Sequence, residues 1–117
     1  MVRSTAFVEF VLDMLAPLGG AAARGMFGGH GLFRDGLMFA IVVDDVLFFK
    51  TGELNRGDFE AAGAAPFVYR RSGRTVALGY HEVPPDVMDD PELLSAWATA
   101  ALDVAQHAKR PARGRKS

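Results

Sequence analysis

The chain reads as an α+β domain: a helix, three strands, a helix, two strands and a last helix. Three observations predict this. Apolar residues at helical spacing open the chain and close it. Between them lie short apolar runs joined by pairs suited to tight turns, Asp35-Gly36, Asp44-Asp45 and Ser72-Gly73. Glycines gather ahead of the first hairpin, seven of the thirteen falling between Gly19 and Gly36. Because the strands follow one another through tight turns, the sheet is expected to be mostly antiparallel, with five strands.

Each element has its own signal. Ser4 or Thr5 caps a first helix, in which Phe7, Phe10, Val11, Met14 and Leu15 recur at helical spacing. Pro17 and Gly19-Gly20 end it. Residues 21–34 read as one long irregular strand or two short ones, broken near Gly28-Gly29. Leu37 to Val43 and Val46 to Lys50 complete a meander. Leu54 to Ala62 forms a short helix, capped by Asn55 or by Thr51 upstream and stopped by Gly63. Phe67 to Arg71 and Arg74 to Tyr80 make a second hairpin, after which Pro84-Pro85 breaks the chain. Asp89, Asp90 and Glu92 put negative charge at a helix start, where Pro91 suits the first turn. Leu93, Leu94, Trp97, Ala98, Ala101, Leu102 and Ala105 then mark one face of a helix that frays near His107.

Composition sets the outer bounds. A chain of 117 residues, half of them hydrophobic, fits one folded domain. At that length, folding buries roughly two thirds of the extended-chain surface. With no cysteine, neither disulfides nor thiolate chemistry are available. The amino terminus lacks a signal-peptide pattern, and the longest apolar run, Leu37 to Val43, is too short to span a bilayer. A cytoplasmic protein without membrane contact is therefore expected. The formal net charge of −1 hides an asymmetry. Residues 109–117 hold five of the thirteen basic residues and no acid, so residues 1–108 carry eight basic and fourteen acidic groups, a net of −6. Residues 1–108 are expected to be the domain, and 109–117 a basic, disordered tail.

Leu37 to Val43 is apolar at every position, whereas a strand with one wet face should alternate. Val46-Leu47-Phe48-Phe49 is continuous as well. Two explanations stand. Either a second subunit covers what three helices leave open, giving a homodimer, or the strand is central and covered within one chain.

Few residues suggest chemistry. Gly29-His30-Gly31 lacks the third glycine of a dinucleotide fingerprint, and no Gly-Lys-Ser/Thr marks a phosphate loop, so the glycines are read as serving strand geometry. His30 and His81 titrate in a useful range but lack diagnostic partners; only a meeting with a carboxylate such as Asp35 would make a metal or acid/base site. His30 nonetheless remains a small-ligand or enzyme alternative. Asp44-Asp45 reads as a solvated turn, because its neighbours Val42, Val43 and Val46 offer no side-chain oxygens to a cation. No serine lies in a Gly-x-Ser-x-Gly context. No catalytic residue, metal or cofactor is therefore assigned. Arg70, Arg71 and Arg74 surround the Ser72-Gly73 turn, where they either grip phosphate or offset the acidic body. The tail residues Lys109, Arg110, Arg113, Arg115 and Lys116 are the better anion binders, or they merely aid solubility. Lacking an aromatic for base stacking, the tail suits weak, sequence-nonspecific DNA contact.

The string Arg24-Gly25-Met26-Phe27-Gly28-Gly29-His30-Gly31-Leu32-Phe33-Arg34-Asp35-Gly36 carries a resemblance. Continued through Leu37-Met38-Phe39-Ala40-Ile41 and Val46-Leu47-Phe48-Phe49-Lys50-Thr51, it closely resembles the TfoX (Sxy) amino-terminal domain, over about residues 3–105. Arg24, Met26, Phe27, Gly28, Gly29, Gly31 and Gly36 match the family signature and are read as fold-defining. The resemblance implies a secretion-chaperone-like α+β fold. It also implies a role beside competence and transcription regulators, with a protein partner in transcription regulation and no catalytic residues. Full-length regulators carry a second, helical domain, which is not apparent in this chain. A chaperone-like dimer that binds peptides or proteins without DNA is the alternative.

Overall fold

The computed structural model describes residues 5–26 and 28–109, without the side chains of 69–71, 75–78 and 109. Helix α1 spans Thr5–Met14, and a short 3-10 turn follows at Ala16–Leu18. Strands β1 (Ala22–Met26), β2 (Gly29–Arg34), β3 (Leu37–Val43) and β4 (Val46–Lys50) come next. Helix α2 (Arg56–Ala61) leads to β5 (Pro66–Arg71) and β6 (Arg74–Glu82). The short α3 (Pro85–Met88) and the long α4 (Pro91–Lys109) finish the domain.

The sheet has six antiparallel strands in the order β1-β2-β3-β4-β6-β5, not five. Residues 21–34 resolve into the two-strand option. β1 folds back on β2 so that Met26 pairs with Gly29 and Ala22 with Phe33. The three expected turns share one cause. Asp35 and Gly36, Asp44 and Asp45, and Ser72 and Gly73 all have positive φ, between 53° and 80°. That is the geometry a two-residue hairpin loop needs to match strand twist.

β2 and β3 are joined with a bulge. Leu32 pairs with Ala40 but Phe33 pairs with Met38, leaving Phe39 as the extra residue. A bulge of this kind turns two successive side chains to one face. Phe39 and Ala40 accordingly both enter the core, alongside Leu32, Val42, Leu47 and Phe49.

The helices pack on that same face. α1 contributes Val8 and Val11, with Leu15 just beyond it. The expected α1 stripe is thus rotated: Phe10 is 48% exposed and instead sets its ring 6.2 Å from that of Phe7. α4 lies across β3 and β4 through Leu94, Ala98, Ala101 and Leu102, its alanines allowing a close approach, while Leu93 is 38% exposed. Asp90, expected to bring favourable charge to the start of α4, also caps it: its Oδ1 accepts from the backbone N–H of Glu92 and Leu93. Pro84-Pro85 does more than break the chain, because Pro85 opens α3 at a position where its missing N–H costs nothing.

Candidate interaction surfaces

The residues that suggested chemistry are kept apart. His30 and His81 share the helix-covered face, but three strand spacings separate β2 from β6, roughly 14 Å. Asp35 sits in the β2–β3 turn. Among the described residues, no group of three His, Cys, Asp or Glu side chains could hold a metal ion. His81 has a structural partner that the sequence did not disclose: its Nδ1 lies 2.8 Å from Thr51 Oγ1, and its ring packs 5.6 Å from that of Phe59. Burial pushes the His81 pKa down, opposed by Glu60 and reinforced by Arg56. Together these contacts tie β6 to the connection between β4 and α2.

That connection is pinned a second time by Asn55, which is buried. Its Oδ1 accepts from Gly52 N–H at 2.9 Å and its Nδ2 donates to the Lys50 carbonyl at 3.0 Å. Asn55 also borders a cavity of about 240 Å³ between α2 and α4, walled by Phe59 and Trp97. Both polar atoms of Asn55 are already engaged within the loop. Of the two expected caps, Asn55 rather than Thr51 holds the N-cap position of α2, but its side chain ties the loop together and makes no cap bond to the helix.

Two surfaces remain. The first is the sheet face opposite the helices. Cross-strand register places Arg24, Gly31, Ile41, Phe48 and Glu82 in one row across five strands. Met26, Phe33, Met38, Val43 and Val46 flank this row on the same face by alternation. None of these side chains belongs to the helix-packed cluster. Phe48 meets Phe67 edge-on at 4.9 Å, and the Arg24 guanidinium stacks over Phe33 at 4.5 Å. Ile41 is only 1% exposed, although it lies opposite the core.

The second surface is a groove of about 280 Å³ at the β3–β4 turn end. Its floor includes Phe7, Leu47 and Met88, and Asp45, Glu82 and Asp89 stand on its rim. No lysine or arginine occurs between Glu82 and Ala108, so acidity dominates this end.

The predicted anion contacts fall elsewhere. Arg74 is exposed at the β5–β6 turn, and Arg70 and Arg71 lie on the backbone of edge strand β5 beside it. Lys109 ends α4, whereas Arg110, Arg113, Arg115 and Lys116 lie outside the described residues, as does Phe27 of the signature. The described signature glycines act on geometry. A Cβ at Gly29 would collide with the Val42 carbonyl, and Gly28 and Gly36 have positive φ.

A six-stranded antiparallel sheet, covered by helices on one face and largely apolar on the other, defines an α+β domain. Residues 13–105 match the TfoX N-terminal domain, and the chain belongs to that family. It is 28% identical over 105 residues to the DNA transformation protein TfoX1 of Aliivibrio fischeri, covering 90% of this chain and 47% of that protein. It is also 28% identical over 93 residues to the protein Sxy of Escherichia coli, covering 80% of this chain and 44% of that one. The chain thus spans about half the length of these relatives. Among the described residues, no helix is long and apolar enough to cross a membrane.

Proposed function

We propose that this domain is a small, non-catalytic regulatory module of the TfoX type, acting in the cytoplasm. It holds a partner protein on its helix-free sheet face. It makes weak, sequence-nonspecific DNA contact through Lys109, Arg110, Arg113, Arg115 and Lys116, with Arg70, Arg71 and Arg74 as a lesser contact. The observation that carries the protein-contact part is the Arg24-to-Glu82 row: a broad apolar face with charged ends, outside the helix-packed core. The DNA part rests on the charge of residues 109–117 and on one relative named for DNA transformation.

A salt titration of DNA binding tests the DNA part, comparing the full chain with a truncation after Ala108. If all five tail cations meet phosphates of duplex DNA, the log–log slope is about −4.5, and truncation removes most of the affinity. Equal affinity in the truncated chain would rule out the tail.

A second reading, a chaperone-like binder of peptides, is favoured by the acidic-rimmed groove over Phe7, Leu47 and Met88. It calls for binding of a lysine-bearing amphipathic peptide that survives the same truncation and is lost in Met88→Glu.

A further inference from the structure

We propose that the cleft between α2 and α4 binds a small organic amine in its ammonium form. This goes beyond the regulatory reading above and is independent of both its protein contact and its DNA contact.

The cleft exists because α4 is apolar on two sides. Leu94, Ala98, Ala101 and Leu102 face the core. Leu93, Ala96, Trp97, Ala100 and Val104 follow a second stripe at helical spacing. That stripe is covered at one end only. Val104 Cγ1 stands 3.0 Å from where a Cβ on Gly52 would be, so the connection between β4 and α2 lies directly on it. Toward the start of α4 the cover ends, and both Leu93 and Ala96 are exposed. Between the two ends, the fully buried Phe59 of α2 meets the half-buried Trp97 edge-on, with ring centroids 4.8 Å apart. The space left beside them is the cavity of about 240 Å³. Drug-sized ligands occupy sites of roughly 300 Å³ and more, so this one suits a single ring or a short chain.

Charge selects the ligand. Of the two polar residues on the wall, Asn55 has both side-chain polar atoms engaged in its own loop. Asp58 remains, and an ionised carboxylate accepts hydrogen bonds without donating any. Its cationic neighbour on α2 is turned away. Arg56 and Glu60, one turn apart, both act on His81 of β6, whereas Asp58 lines the side facing α4. α4 itself carries no lysine or arginine before Lys109. Among the described residues, the Asp58 carboxylate therefore has no ion-pair partner. The rings of Phe59 and Trp97 add the negative faces that attract a cation. A ligand with a hydrocarbon body and an ammonium head matches both parts: the body fills the apolar floor, and the head meets Asp58 at the exposed rim.

Trp97 is the only tryptophan in the chain, so its fluorescence reports on the cleft directly. The test titrates the full chain at neutral pH with 2-phenylethylammonium and, separately, with 2-phenylethanol, a neutral analogue of nearly the same shape. The ammonium is expected to give a saturable change with a Kd of roughly 1 mM, as suits so small a ligand. The alcohol binds roughly tenfold more weakly, having lost both the carboxylate and the cation–π attraction. Asp58→Asn weakens the ammonium about fivefold or more and leaves the alcohol unchanged. Ala96→Leu fills the mouth of the cleft and abolishes the response to both. Positions 58 and 96 are exposed, and circular dichroism checks that each variant is folded. Asp86→Asn, on α3 away from the cleft, binds like the parent. Absence of a saturable change in the parent overturns the proposal. So does an alcohol that binds as tightly as the ammonium, or an Asp58→Asn or Ala96→Leu variant that binds the ammonium like the parent. None of these results bears on the truncation experiment, so failure of amine binding and failure of DNA contact are told apart.

Discussion

β3 presents apolar side chains to two environments. Toward the helices, Phe39, Ala40 and Val42 are fixed by α1, α3 and α4 packed over them. On the other side, Met38, Ile41 and Val43 lie outside the helix-packed cluster. The helix face is a filled interior, where a lost atom leaves a cavity. The open face is a layer of flexible and aromatic side chains lying on one another, which adjusts. Burial alone misleads here, because Ile41 is as inaccessible as Phe39.

Mutations sharpen this contrast. Phe39→Ala, at a fully buried site, should cost about 3–5 kcal/mol in denaturant unfolding. A cost under about 2 kcal/mol would mean that the helix face is loosely packed. Gly29→Ala places its new methyl against the Val42 carbonyl, which belongs to the β3 backbone, and should cost roughly 2–3 kcal/mol. Phe48→Ala, on the open face, should cost about 1–2 kcal/mol, from partial exposure and the lost contact with Phe67. If it matched Phe39→Ala, the two faces would be energetically alike. Gly31→Ala meets the ends of methionine side chains that can move aside, and should cost about 1 kcal/mol or less.

The smallest effect concerns pH. Burial keeps the His81 pKa below its ordinary value of 6.5, so the folded ring stays neutral where the unfolded one takes up a proton. Stability is therefore complete above about pH 6.5 and declines as pH falls toward the lowered value. Thermal melts at descending pH should show a modest loss that is reduced in His81→Gln. An unchanged slope in that variant would assign the loss to other groups.

Much of the fold was legible because its signals are local. Asp35-Gly36, Asp44-Asp45 and Ser72-Gly73 mark hairpins because few residues tolerate positive φ, whatever surrounds them. Asp90 and Pro91 mark the start of α4 for the same kind of reason. The Phe39 bulge was not legible, since a bulge is a mismatch between two strands and neither strand carries it alone. The rotation of the α1 stripe toward Val8 was hidden because Phe7 and Phe10 fit helical spacing equally well. On the interaction surfaces, the basic segment was plain from charge. The acidic groove was not, because Asp45, Glu82 and Asp89 come from three separated stretches.

By itself, the sequence determined the class of fold, the places where the chain turns and the family signature around Gly28 to Gly36. These depend on backbone freedom and on periodicity along a single strand or helix. Only the tertiary structure decided which face of β3 the helices cover, and that Arg24 and Glu82 end one row with Ile41 at its centre. A strand apolar on both sides offers no preference of its own, so the face is chosen by where the helices dock and by the register of strands distant in sequence.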